Sequence, residues 1–516
     1  MCGILAWFRE GSHSVLSTVP ITESIAHRGP DKTTDSQVSR YAHFTFHRLA
    51  INGLENGNQP FYSSDWTCMV NGEIYNHQAI ERSRGFENVS GSDCEVYWRL
   101  LHLVSPVEAA MRLDGVYATV ALHRRRKVVV SRDPFGVRSL FIGYSPLHGL
   151  IGVASEAKAL VEMCQVVVPV SPGQTWMLDL ARGWGSLQKH RHHIGFANPR
   201  LYPPFFNTDQ AAMAMIRTRL TDAVNKRMMV ERFPIGCFLS GGLDSSLVAS
   251  LVCRCVDDPK QIHTFSIGME GSPDLKWAKV CAAFLGTTHH EFVVAPDELL
   301  GAIPAAIHQM ESWDTTTIRA GTPMYVLSKR IYETTPVRVI FSGEGSDELS
   351  GSYMYFKNCP NNDAFQAECV RLCHDLSFFD VLRCDKATAG NGLEVRVPFL
   401  DLDFARDYLR VDPELRKPRN GAEKYLLRKA FDDGTYLPKE VLWRTKEAFS
   451  DGVSQQNNSW HTLIQHHAQT GEKTWFKSLF NAYYPGQEDW IPYEWLPKWS
   501  GDVTDPSARV LDVYDA

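Results

Sequence analysis

At 516 residues the chain exceeds the roughly 250–300 residues at which a single hydrophobic core stops growing, so two or three domains are expected. Hydrophobic residues make up 44% and charged residues 22%, which excludes a disordered, collagen-like or small disulfide-stapled protein. Lys and Arg total 53 against 59 Asp and Glu, and the net charge of −6 gives no electrostatic reason to expect nucleic acid or an anionic membrane as partner.

No apolar run approaches the ~18–20 residues of a membrane span. The start, Met1-Cys2-Gly3-Ile4-Leu5-Ala6-Trp7-Phe8, carries no basic segment and is soon broken by Arg9, Glu10 and Gly11, so neither a signal peptide nor an anchor is expected. The expected address of this soluble chain is the cytosol. Its 12 cysteines include no C-x-x-C pair and several sit in apolar runs, as Cys237 does in Pro234–Leu239. They read as reduced thiols used as small core residues, with no zinc site and no disulfide framework.

The first part of the chain reads as β-rich with short helices. Tyr117–Leu122 and Val128–Ser131 are predicted strands, and the basic run His123–Lys127 between them a solvated hairpin tip. Around 183–210, Gly, Pro and polar residues accumulate with His190, His192 and His193, a domain boundary whose histidines are expected on the surface. Beyond it the pattern alternates. Helices are predicted at Ala211–Arg227, Ser246–Cys255, Trp277–Leu285 and Leu299–Met310, and strands at Phe233–Leu239, Ile262–Gly268, His290–Val294 and Val337–Phe341. Such alternation implies a parallel sheet covered on both faces, with ligands beyond the carboxyl ends of its strands. After Phe356 the chain is mostly helical, and its last forty residues are rich in Trp, Tyr and Pro.

Two chemical constellations stand out. Cys2 becomes the first residue if Met1 is removed, and a thiol on the residue bearing the α-amine has its own proton acceptor close by, since such an amine has a pKa near ~7.7–8.0. Taken alone this is weak evidence, but His27-Arg28-Gly29-Pro30-Asp31, His47-Arg48-Leu49-Ala50-Ile51, Asn71-Gly72-Glu73-Ile74-Tyr75-Asn76 and Gly91-Ser92-Asp93-Cys94-Glu95 follow in order. With them, residues 2–185 resemble the class II glutamine amidotransferases, which are N-terminal-nucleophile hydrolases. The resemblance implies Cys2 as nucleophile and Asn71 and Gly72 as the oxyanion hole. It implies a glutamine site built from Arg48, Ile51, Asn71, Gly72, Glu73 and Asp93, with Arg48 on the substrate carboxylate and Asp93 and Glu73 on the ammonium.

The second constellation is Ser240-Gly241-Gly242-Leu243-Asp244-Ser245-Ser246, placed between a strand and a helix. Paired glycines let backbone approach a ligand, and a helix start offers unpaired N–H groups to phosphate. No G-x-x-x-x-G-K-[ST] is present, which argues against simple γ-phosphoryl transfer. Ser342-Gly343-Glu344-Gly345-Ser346-Asp347-Glu348 repeats the logic on another strand end, with carboxylates crowded enough to call for a cation. The first loop resembles the pyrophosphate loop of ATP pyrophosphatases. The pair of halves resembles glutamine-hydrolysing asparagine synthetases, with animal-type endings such as Trp495-Leu496-Pro497-Lys498-Trp499.

That resemblance implies two domains: an N-terminal-nucleophile sandwich of antiparallel sheets between helices (2–185), a linker (186–209), and a parallel α/β sheet of the ATP-pyrophosphatase type with added helices (210–516). It implies a nucleotide site at Leu239, Ser240, Gly241, Gly242, Asp244, Ser245, Ser246, Ile267, Ser342 and Gly343, with Mg²⁺ held by Asp244 and Asp347. Lys424 and Lys446 are implied to neutralise phosphate charge, and Glu344 to act in aspartyl-adenylate formation or ammonia deprotonation. Thr316, Thr317 and Arg319 are the candidates for aspartate, with a capped helix start and a surface arginine as the competing reading. The implied reaction uses glutamine, aspartate and ATP with Mg²⁺, no tightly bound organic cofactor, and an internal tunnel for ammonia. A homodimer is what the family suggests. The competing chemistry is a β-lactam-synthetase-like enzyme or another amidotransferase acting on a different carboxylate, but β-lactam synthetases lack the N-terminal cysteine.

Overall fold

The computed structural model describes residues 1–11, 23–193, 198–445, 452–454, 459–501, 503 and 505–506. The backbone divides into two compact units. The first takes Met1–Gly195, Met229–Arg232 and Thr388–Glu394; the second takes Phe196–Met228, Phe233–Ala387 and Val395–Ala516. Among the described residues no helix is long and apolar enough to cross a membrane.

The first unit is built on two six-stranded sheets. In one, Gly3–Arg9 lies between Ala42–Arg48 and Leu150–Ala154, antiparallel to both. In the other, Trp66–Ile74 pairs antiparallel with Gly115–His123, which pairs in turn with Lys127–Arg132. Period-two alternation sorts the side chains. Ile4, Ala6 and Phe8 join Ala118, Val120, Leu122, Val128 and Val130 in one core between the sheets. Cys68, Val70, Tyr117, Ala121 and Val129, from the other face of the second sheet, pack with Tyr97, Leu100 and Leu101 of the helical region Glu95–Leu101. Short 3₁₀ turns, Glu23–Arg28 and Ala157–Ala159, lie against the first sheet.

The hairpin forms as expected, with exposed Arg124 and Arg125 at its tip. The histidines depart from the expected surface placement: His190 and His193 are half-buried and His192 is buried. Gln188–Arg191 is a further strand on the edge of the second sheet, and it carries His192 inward. His192 is buried, its Nε2 3.1 Å from Tyr117 Oη and its Nδ1 2.9 Å from Thr175 Oγ1. Breaker residues end elements, but between two of them there was room for one more strand. All 12 cysteines are free thiols and 9 are buried, in line with core use.

The second unit carries a five-stranded sheet ordered Thr288–Val293, Ile262–Gly268, Ile235–Phe238, Val339–Phe341, Glu394–Arg396. The first three of these neighbouring pairs are parallel, as the alternating pattern predicts. Chain order reverses between Ile235–Phe238 and Val339–Phe341, and at such a switch point the loops beyond the strand ends splay apart and leave a crevice. The two Gly-rich loops, Leu239–Gly242 and Ser342–Gly345, leave from these two strands. Helices Asp209–Arg227, Leu243–Cys253, Pro273–Leu285 and Pro296–Met310 correspond to the four expected ones. The polar segment Gln465–Lys477 spans the end of helix Trp460–His467 and the first half of Glu472–Tyr483.

Candidate active sites

Cys2 sits at the head of the central strand Gly3–Arg9, half-buried, with its Sγ donating to Leu49 O at 3.6 Å. Burial pushes the thiol up from its ordinary value, so it needs a nearby base to ionise. The Met1 amine donates to Leu393 O at 3.1 Å and is pushed down to about 5 by burial. Asn71 and Gly72 lie on Trp66–Ile74. The Asn71 side chain is buried, and its Nδ2 donor has no hydrogen-bond partner among the described residues, a state that costs free energy unless a ligand acceptor meets it. Gly72 has φ +150°, and a Cβ there would stand 1.9 Å from Val116 O, so only glycine fits.

The charged glutamine-site candidates are buried and each is engaged within the unit. Glu73 accepts from Asn52 Nδ2 at 2.7 Å, and Asp93 accepts from the Ile74 N–H at 2.7 Å. The Arg48 guanidinium donates to the carbonyls of Asn52, Gly53 and Leu54 and to Asn58 Oδ1, at 2.6–3.2 Å. Arg48 thus orders the 52–58 loop, at the start of which buried Ile51 sits. One neighbour escaped sequence reasoning. Cys94 donates from Sγ to Gly72 O at 3.3 Å, and burial, with the charges of Asp93, Glu73 and Cys2, pushes its thiol far up. Its position inside the Gly91–Glu95 motif was the available signal.

In the second unit a cavity of 310 Å³ opens at the switch point. Leu239, Ser240, Gly242, Asp244, Ser245, Ile267, Ser342, Gly343, Glu344, Asp347, Lys424, Thr316 and Arg319 all line it. The first loop is held tightly: Ser245 Oγ lies 3.1 Å from Ser240 Oγ and donates to Gly242 O at 3.3 Å. Gly241 has φ +70° and packs so closely on Trp277 that a Cβ would come within 2.4 Å of it. The two loops nearly touch, since a Cβ on Gly343 would lie 2.8 Å from Ser245 N.

Asp244 and Asp347 converge on one point, the Lys424 ammonium, at 2.5 Å each. Desolvation works against that ammonium, but the two carboxylates overcome it and hold Lys424 charged, well above its usual range. Ser346 Oγ adds a donor to Asp244 at 2.9 Å. Glu344 is pushed up to about 7 by burial, against the pull of Arg383 at 3.0 Å.

Five candidates stand apart. Ser246 is fully buried on helix Leu243–Cys253, and Ser246, Gly241 and Thr317 all lie outside the cavity lining. Arg319 lines the cavity already paired: it binds Glu472 through two nitrogens, Asp505 at 3.2 Å and His461 Nδ1 at 2.7 Å. The competing reading of a capped helix start holds here, because Asp314 Oδ2 accepts from the Thr317 N–H at 2.8 Å and Thr316 Oγ1 at 2.5 Å. The surface arginine does not, since Arg319 is buried. Lys446 lies outside the described residues.

A family model described as a glutamine amidotransferase domain matches residues 1–177, and one described as asparagine synthase matches residues 215–365 and 357–502. The class is therefore a glutamine amidotransferase joined in one chain to an ATP-pyrophosphatase-like synthetase domain. The glutamine-hydrolysing asparagine synthetase of Bos taurus is 39% identical over 565 residues, covering 100% of this chain and 99% of that protein. Those of Rattus norvegicus and Homo sapiens are each 39% identical over 563 residues, with the same shares covered. The chain belongs to the family of glutamine-hydrolysing asparagine synthetases.

Proposed function

We propose that this carbon–nitrogen ligase makes L-asparagine from L-aspartate, with L-glutamine as nitrogen donor and ATP as activating nucleotide, giving asparagine, glutamate, AMP and pyrophosphate. In the first unit the Cys2 thiolate attacks the glutamine amide carbon. Asn71 Nδ2 and the Gly72 N–H donate to the developing oxyanion, and its collapse releases ammonia and leaves a glutamyl thioester that water hydrolyses. Removal of Met1 frees the Cys2 nitrogen as the base. The buried setting that lowers the Met1 amine supports a neutral amine one residue on. Asp93 and Glu73 hold the substrate ammonium, and the loop ordered by Arg48, with Ile51, holds its carboxylate.

In the second unit the aspartate β-carboxylate attacks the α-phosphorus of ATP, and pyrophosphate leaves from β-aspartyl-AMP. Leu239, Ile267, Ser342 and Gly343 hold the nucleoside, while Ser240, Gly241 and Gly242, with Ser245 at the helix start, receive the phosphates. Lys424 and Lys446 neutralise phosphate charge in the transition state, and Thr316 and Arg319, which line the cavity, belong to the aspartate end. Asp244 and Asp347 are a hard oxygen pair aimed at one point, a donor set that fits Mg²⁺, which bound with ATP would offset phosphate charge. Ammonia then attacks the acyl carbon, Glu344 takes its proton, and AMP leaves. A cytosolic address and a homodimer are proposed on family resemblance.

The observation that carries the synthetase reading is the meeting of Asp244, Asp347 and Lys424 at the switch point of the parallel sheet. The test is a product assay with glutamine, aspartate, ATP and Mg²⁺. AMP and pyrophosphate should appear with asparagine in equal amounts; ADP and phosphate would overturn the reading.

A further inference from the structure

The backbone behind Cys2 is held by a buried carboxylate that the reaction above does not use. Glu156 follows strand Leu150–Ala154 and its side chain is fully buried. Its Oε1 accepts from Arg28 Nη1 at 2.7 Å, its Oε2 from Lys158 Nζ at 2.7 Å, and His27 Nε2 lies 3.1 Å away. Burial would raise its pKa, but Lys158, His27 and Arg28 hold it well below the carboxylate range, so it is charged. Arg28, also fully buried, turns its Nε to the carbonyl of Cys2 at 3.0 Å.

The residue before Glu156 takes the same stretch by a second handle. Ser155 Oγ accepts from the Ile4 N–H at 2.9 Å, and the Ser155 N–H donates to Ile4 O at 2.9 Å. Ser155 is itself anchored, its carbonyl accepting from Ser139 Oγ at 2.7 Å. Between the two handles the backbone of Gly3 is closely approached, since a Cβ there would stand 3.1 Å from Ile25 O. The carbonyl of Cys2 and both polar groups of Ile4 are thus fixed from one segment, 155–156. With the backbone on this side of the thiol held, the position of Sγ is set by the clamp, and a reacting atom misplaced by about 1 Å loses about a hundredfold in rate.

We propose that Glu156 is a positioning residue for glutamine hydrolysis: through Arg28 it fixes the Cys2 carbonyl and thereby aims the thiolate at the amide carbon. The proposal rests on the reading of Cys2 as nucleophile. Glu156→Gln keeps the shape but removes the charge that holds Arg28 against Lys158. In the full-length enzyme it should lower glutaminase kcat about a hundredfold and leave the KM for glutamine nearly unchanged, with ammonia-driven synthesis in the same sample kept. Inactivation by a glutamine-shaped diazoketone, which needs thiol and oxyanion donors aligned, should slow in step with kcat, whereas alkylation by iodoacetamide should not. A kcat close to that of the parent, equal slowing of both reagents, or parallel loss of ammonia-driven synthesis would overturn the proposal. Should Glu156→Gln not fold, Arg28→Lys keeps the charge against Glu156, loses the Nε contact to Cys2, and carries the same expectations. Cys2→Ala, run alongside, separates the two claims: if it retained glutaminase, the nucleophile itself would be misassigned.

Discussion

Asn71 is a buried amide whose Nδ2 finds no partner among the described residues, so an acceptor on a bound ligand would satisfy it. Asn71→Ala should lower glutaminase kcat by about 10²–10³ with little change in the KM for glutamine, checked by steady-state glutamate release. Glu344 gives a pH expectation. Its carboxyl sits near 7, so at lower pH it is protonated and cannot accept a proton; at constant free ammonia, synthesis should fall below about pH 7, and Glu344→Gln should abolish that limb. His192 gives another, in stability. Burial holds its imidazole at about 4, against 6.5 when exposed, so the unfolded chain takes up a proton that the folded chain refuses. This contribution is whole above pH 6.5 and is lost as pH falls toward 4, by about 3 kcal/mol over the window. The melting temperature of His192→Gln should decline less steeply across that window than the parent's.

Residue identity was legible wherever chemistry needed a particular group at a particular spacing. Asp244, Asp347 and Lys424, 180 residues apart at their extremes, meet at one point. What spacing does not carry is the direction of a side chain within a helix turn. Ser245 and Ser246 are neighbours with the same hydroxyl, yet Ser245 lines the cavity and Ser246 faces the core. Nor could it show that Arg319 would meet Glu472 and Asp505 from segments more than 150 residues downstream.

Among elements, the two Gly-rich loops illustrate how backbone contact can be a functional requirement. Gly343→Ala would press a methyl to within 2.8 Å of Ser245 N and 2.9 Å of Asp244 Cβ, driving the loops apart. Ammonia-driven synthesis should drop by at least about tenfold, as a displaced phosphate cradle implies, while glutaminase activity persists. Strand Ile262–Gly268 was readable to the residue, because a run rich in Ile, Thr and Phe lies between Pro259 and Gly268. Helix starts were read late. Pro273–Leu285 begins four residues before the expected Trp277, since the signal lies in Ser272, whose Oγ accepts from the Leu275 N–H at 3.4 Å, and in Pro273, not in hydrophobic periodicity. Leu243–Cys253 likewise opens inside the glycine-rich string, where apolar spacing is silent.

For the molecule as a whole, two units with separate machinery imply separable losses. Cys2→Ala should abolish glutamine-driven synthesis and spare synthesis from ammonium salts, while Asp244→Asn should abolish asparagine formation with either nitrogen source and leave glutamine hydrolysis running. Loss of both activities in Cys2→Ala would contradict that division of labour. The fold class followed from the switch in periodicity along the chain, but membership did not follow chain order. Met229–Arg232 and Thr388–Glu394 belong to the first unit, and Leu393 O receives the amine of Met1. A gene cut anywhere near codon 200 would therefore yield a front fragment lacking pieces of its own architecture. Splitting this protein into two co-expressed halves calls for a graft of those returning segments, and ancestral tinkering by simple fusion or fission would have met the same obstacle.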